Sequence, residues 1–178
     1  MSPILILCGG FLLAVLWMDL MFDVQVLRYR DTARQLPEEI LSSIAAYYRR
    51  VTTLARPMNY AVGGMMLVLV AALLMQIIGG SEQRWVALVS LPFCGAPILL
   101  AGLRVVPNAV RLGSRVDSAA EQSRLAHVIC RDHLLCLGGI IVFVALQLVA
   151  ALRQRQPGLL AAMTTTRFFD WFQIAALG

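Results

Sequence analysis

Residues 127–152 read HVICRDHLLCLGGIIVFVALQLVAAL, a polar turn of His127, Arg131, Asp132 and His133 that opens onto an uncharged run from Leu134 to Leu152. A helix rises about 1.5 Å per residue, so about 20 apolar residues cross the roughly 30 Å hydrocarbon core of a bilayer. The stretch meets that length, and so do Ile4 to Phe22, Met58 to Ile78 and Trp85 to Val106. The fold class that follows is all-α, an integral membrane four-helix bundle. It forms one membrane domain over residues 1–178, with spans 4–22, 58–78, 85–106 and 128–152.

Composition agrees with lipid as the main solvent: 60% of the chain is apolar, 14% is charged, and mean hydropathy is +0.77. All 15 basic residues are Arg. They lie mostly in short stretches between apolar runs, so the net charge of +5 points to anionic headgroups and not to nucleic acid. Cys8, Cys94, Cys130 and Cys136 fall in or beside the spans without a Cys-x-x-Cys pair, which reads as helix packing and not as thiol chemistry or a zinc site. The first apolar run lacks a basic leader and a small-residue cleavage site, and is expected to be a retained helix.

The Arg distribution sets an expected orientation. Arg28, Arg30, Arg34, Arg49, Arg50, Arg56, Arg104, Arg111, Arg115 and Arg124 flank one end of the spans. Arg84, Arg153, Arg155 and Arg167 flank the other. The positive-inside rule then places both long connections in the cytoplasm and both termini on the non-cytoplasmic side, as in a bacterial inner membrane.

Within the first connection, residues 37–55 carry Ile40, Leu41, Ile44, Tyr48, Val51 and Leu54 at helical spacing behind Pro37. This amphipathic segment is read as a helix in the cytoplasmic interface, in preference to a downward extension of the second span bent at Pro57. The segment 157–178, with Arg167, Phe168, Phe169, Asp170, Trp171 and Phe172, is too short to span. It is expected at the outer membrane surface or as a docking surface for another subunit. Gly63, Gly64, Gly95, Gly102, Gly138 and Gly139 are expected to let helix backbones approach closely, and Pro92 and Pro97 to bend the third span.

Polar groups converge on the Arg-rich end, whereas the opposite half of the bundle is expected to be almost entirely apolar. Asp19 and Asp23 close the first span, Asn59 opens the second, Arg104 and Asn108 follow the third, and His127, Arg131, Asp132 and His133 open the fourth. Ionisable groups at bilayer depth turn into the bundle and pair. Asp19 with Arg131 or Arg104 is the expected pairing, giving a belt of ion pairs and caps. The functional alternative is a cleft for an amphiphile, with Arg104 or Arg131, and Asn59, Asn108 and Asp23, as ligand-binding candidates. His133 or His127 would then be a general acid-base, positioned by Asp19 or Asp132. The histidines lie six residues apart, about 120° around a helix, which speaks against a metal held by Asp19, Asp23, His127 and His133. No phosphate loop, nucleophile elbow or haem attachment motif is present, and the sequence calls for no cofactor and no metal.

The order of parts resembles the anthrone-oxygenase-like family of small four-helix membrane proteins. The residues that carry the resemblance are Pro107, Asn108 and His133 with Arg131 nearby, in a chain with an amphipathic first connection and a tight hairpin of spans two and three. The family's Asn-Val-Pro is Val105-Val106-Pro107 here. The resemblance implies, as for some members of that family, cofactor-independent oxygenation of a polycyclic phenolic substrate, most members having no assigned role. Three functions therefore stand beside one another. The first is a non-catalytic or accessory subunit of a membrane assembly, the second a membrane enzyme acting on a lipophilic small molecule at the cytoplasmic interface, and the third an oligomeric carrier. The partners implied are membrane lipids and other membrane subunits.

Overall fold

The computed structural model describes the backbone of residues 2–29, 35–79 and 84–175 and, apart from Ser2, Arg56 and residues 155–175, their side chains. Helices make up nearly all of the described residues, and no strand occurs among them. Helix α1 (Ser2–Asp23) tightens into a 3-10 turn (Val24–Arg28), and α2 (Glu38–Arg49) ends in a π turn (Arg50–Leu54). Helix α3 covers Arg56–Ile78, and α4 (Arg84–Leu100) passes through a π turn (Ala101–Val105) directly into α5 (Val106–Ser114). Helix α6 runs from Ala119 to Ala175. Four helical stretches are long and apolar enough to cross a membrane: Pro3–Arg28, Pro57–Ile78, Arg84–Ser114 and Ala119–Gln154. Only 22–28% of the most apolar window of each is buried within the bundle. Their outward faces, with Leu67, Ile78 and Leu103 more than 70% exposed, therefore need an apolar surrounding.

The spanning part packs α6 most extensively against α1 and α4, with α3 against α1 and α4. Its core holds Leu5, Cys8, Leu12, Leu69, Leu73, Cys94, Ile140 and Phe143. A second core lies at the polar end, where Leu41, Ile44 and Tyr48 of α2 meet Val105, Ala109 and Leu112 around α5 and Leu125 and Ile129 of α6. Leu41, Ile44 and Tyr48 of the apolar stripe are thus covered by protein, while Leu54 past the end of α2 is exposed. Pro37 stands at the α2 N-cap, with its carbonyl accepting from the Leu41 amide at 3.1 Å, and Glu38 and Glu39 fill the first turn where the helix dipole favours acid.

Two elements differ from the sequence expectation. The connection between the third and fourth spans is itself helical, with Pro107 in the first turn of α5 and Ser118 capping α6, its hydroxyl accepting from the Glu121 amide at 3.3 Å. Between them Arg115 takes the left-handed conformation (φ 55°) that closes α5. Pro92 and Pro97 lie inside α4 without ending it. Residues 80–83 of the α3–α4 turn lie outside the described residues. In the segment 157–178 the backbone to Ala175 continues α6, while 176–178 and the aromatic side chains lie outside the described residues.

The glycines also sort differently. A Cβ on Gly139 would stand 2.9 Å from the Phe93 carbonyl oxygen and 2.8 Å from Pro97 Cγ, so it is the glycine that lets α6 reach α4. Gly63, Gly64, Gly95, Gly102 and Gly138 have nothing within 4 Å. Successive helical residues point about 100° apart, so Gly139 makes the contact while Gly138 faces outward, and neither member of the Gly63-Gly64 pair makes one. Unexpected close approaches are at Gly9, where a Cβ would lie 2.5 Å from Val144 Cγ2, and at Gly113, where one would lie 2.8 Å from the Arg49 backbone nitrogen. Gly139→Ala is accordingly expected to destabilise the bundle by about 1–3 kcal/mol, and Gly138→Ala to change it by less than about 0.5 kcal/mol. Thermal unfolding of the two variants in the same detergent checks this.

Candidate functional site

The polar convergence read from the sequence is present, but with other partners. Asp19 and Asp23, one turn apart on α1, both face α2 and α6. Asp23 is fully buried, and its two oxygens accept from the Tyr48 hydroxyl at 2.6 Å and from His133 Nδ1 at 2.6 Å. Since Asp23 can only accept when ionised, the proton of the His133 ring is assigned to Nδ1. His133 Nε2 then points toward Asp19 Oδ2 at 3.8 Å, beyond hydrogen-bond reach. The other Asp19 oxygen accepts from the Tyr47 hydroxyl at 2.6 Å, and the Tyr47 ring stacks on Phe22 with centroids 3.9 Å apart. His133 is 5% exposed and Tyr48 2%, while the Asp19 side chain keeps 19%, so Asp19 is the better hydrated carboxylate.

The expected pairing of Asp19 with Arg104 or Arg131 is therefore wrong. Both guanidinium groups go to the neighbouring carboxylate: Asp132, fully buried, holds Arg104 at 3.2 Å on one oxygen and Arg131 at 3.2 Å on the other. Residues 132 and 133 point about 100° apart on α6, so Asp132 serves the α4–α5 side while His133 serves α1. His127 is separated from both. Its Nδ1 lies 2.8 Å from the Ser123 carbonyl and its Nε2 2.9 Å from the Tyr29 carbonyl, so both ring nitrogens face backbone oxygens. Asn59 bonds the Thr52 carbonyl at 3.5 Å on an exposed face, and Asn108 sits half-buried on α5. Of the candidates, the structure thus unites Asp19, Asp23 and His133, unites Arg104, Arg131 and Asp132, and leaves His127, Asn59 and Asn108 apart. Among the described residues no group of three or more His, Cys, Asp or Glu is arranged to hold a metal ion.

Sequence reasoning missed the two tyrosines as members of the cluster. Tyr48 lay on the apolar stripe of α2 and Tyr47 beside it; the available signal was a pair of hydroxyls on a helix facing two acids. Burial, with the Asp19 and Asp23 carboxylates adding to it, holds both phenols above the ordinary phenol range. The opposite half of the bundle is also less inert than expected. Gln147, fully buried in α6, donates to the Ser90 hydroxyl of α4 at 3.1 Å, and Gln76 of α3 is buried as well.

No family model, curated protein or solved structure matches the chain.

Removing the Tyr48 hydroxyl leaves a buried carboxylate oxygen unpaired, so Tyr48→Phe is expected to cost about 1–3 kcal/mol, and Tyr47→Phe less because Asp19 retains water. Unfolding of both variants in detergent micelles tests the ranking. The phenols bind their protons more tightly folded than unfolded, so this contribution is complete below about pH 10, the ordinary phenol value, and declines as pH rises above it. A melting temperature that falls in alkali for the parent chain and falls less for Tyr48→Phe is the expected result.

Proposed function

We propose that this chain is a polytopic membrane protein of the non-catalytic, accessory kind. In this reading the α2–α5 layer lies on the cytoplasmic side, both termini lie outside, and that layer is the contact face for other membrane subunits. The observation that carries the proposal is the closure of the His133 cluster. Each hydrogen-bonding group around the ring is directed at another group of the same chain, and the cluster clamps α2 to α1 and α6. A cavity at this end is lined by Val24, Gln25, Arg28, Tyr29 and Ile40, and neither His133 nor its two acids line it. General acid-base work requires the ring within hydrogen-bond reach of a substrate, and at 5% exposure little of the ring is open to one.

The enzyme reading, oxygenation of a lipophilic substrate in the manner of the anthrone-oxygenase-like family, would need α2 to leave the cluster. The carrier reading would need a polar path past Leu5, Cys8, Leu12 and Phe143, which form a dry core. The orientation is supported by the ten Arg residues on the α2 side against four on the other.

Native mass spectrometry of the full chain, purified from its membrane in mild detergent, is expected to show a stoichiometric protein partner. Recovery as a lone monomer or homodimer overturns the subunit reading. Labelling intact cells with an impermeant thiol reagent is expected to modify Ser81→Cys and not Ser114→Cys, since the four native cysteines are buried. The reverse pattern would invert the orientation.

A further inference from the structure

We propose that the cavity between the end of α1 and the start of α2 is a binding site for the phosphate of an anionic headgroup. The proposal rests on the reading of α1 as a membrane span. The cavity, of about 220 Å³, is walled by Val24, Gln25, Arg28 and Tyr29 of the 3-10 turn and its cap and by Ile40 of α2. None of the five is acidic, and Arg28 is the one charged group among them.

Arg28 shares with Arg49 and Arg50 the lack of an ion pair among the described residues, but of the three it alone lines this cavity. At the same end of the bundle Arg104 and Arg131 are held by Asp132, Arg111 by Asp117 and Glu121, Arg115 by Glu38, and Arg124 by Glu121. Arg28 makes no ion pair among the described residues, although it stands in a cavity wall. Its position is the one where a headgroup belongs. Asp23, one turn earlier, ends α1 inside the bundle, and the following 3-10 turn carries Val24 at 42% and Leu27 at 47% exposure, apolar surface suited to the upper part of an acyl chain. The wall is also fixed in place. The Tyr29 amide donates to the Val26 carbonyl at 2.9 Å, the Tyr29 carbonyl is engaged by His127 Nε2 at 2.9 Å, and Gln25 Nε2 donates to the Phe22 carbonyl at 3.1 Å. The planar guanidinium forks onto phosphate oxygens, with Gln25 and Tyr29 as the flanking polar groups. Shared phosphate-ester chemistry is what the cavity selects, whether carried by phosphatidylglycerol in the leaflet or by a soluble glycerol phosphate.

The test is lipid retention by the full chain in mild detergent, read by native mass spectrometry with phosphatidylglycerol and phosphatidylcholine of identical acyl chains. Phosphatidylglycerol is expected to be retained at least about fivefold better, the size of effect one interfacial Arg supplies. Arg28→Gln is expected to erase that preference, and so is Val24→Trp, which fills the cavity with Arg28 in place. Arg84→Gln, on the opposite side of the bundle, is expected to leave it unchanged. Displacement of the lipid by millimolar glycerol phosphate supports the site with a soluble ligand; retention against it supports the site with a lipid. Equal retention of the two lipids, or a preference that survives both Arg28→Gln and Val24→Trp, overturns the proposal. A chain absent from the membrane fraction overturns the membrane reading, and the site with it.

Discussion

A carboxylate and an imidazole buried beside each other at the end of a membrane helix constrain everything around them. Asp23 has no contact with solvent, and an ionised carboxylate in such a place is tolerated only when its oxygens accept strong hydrogen bonds. One oxygen is satisfied from α6 by His133 and the other from α2 by Tyr48. The first span cannot therefore settle without both the fourth span and a helix outside the four spans. Docking of α2 then creates the second core, because Leu41 and Ile44 on the same face as Tyr48 need Leu112, Leu125 and Ile129 to cover them.

The molecule that results has two solvents and two kinds of cohesion. Across the spans the helices meet through small contacts such as Gly9 against Phe143 and Val144 and Gly139 against Phe93, as expected where lipid removes the hydrophobic drive for helix association. At the polar end the α2, α5 and α6 surfaces are held as in a soluble protein, by apolar burial and by charges that pair locally. The exposed pairs of Arg111, Arg115 and Arg124 contribute little to stability. Asp132 with Arg104 and Arg131 differs, because the carboxylate is fully buried and its cations come from two elements.

The four spans were legible because their evidence is one-dimensional: length and hydropathy survive without knowledge of packing. The stripe of α2 was legible for the same reason. The start of α6 at Ala119, nine residues before the apolar run, was not, since Glu121, Gln122 and Arg124 mask a helix that apolar burial through Leu125, Ala126 and Ile129 stabilises. Partner choice was the least legible. Asp19 and Asp23, four residues apart, fall on one helix face, but the rotation of α6 that brings His133 and not Arg131 to that face depends on contacts far along the helix. The same azimuthal ignorance made Gly138 and Gly139 look equivalent and hid the bond between Gln147 and Ser90.

The uninterrupted length of α6 gives those distant contacts a common effect. His133 engages α1, Gly139 seats against Phe93 of α4, and Gln147 bonds Ser90 of α4 about 21 Å farther along the axis than His133 at 1.5 Å per residue. Because one helix carries all three, they share a single rotational phase. A twist that frees the imidazole from its aspartate must also drive a glycine into a carbonyl and withdraw an amide from its hydroxyl. The bundle is thus torsionally indexed: α6 can be displaced as a rod, but it cannot turn at one end alone.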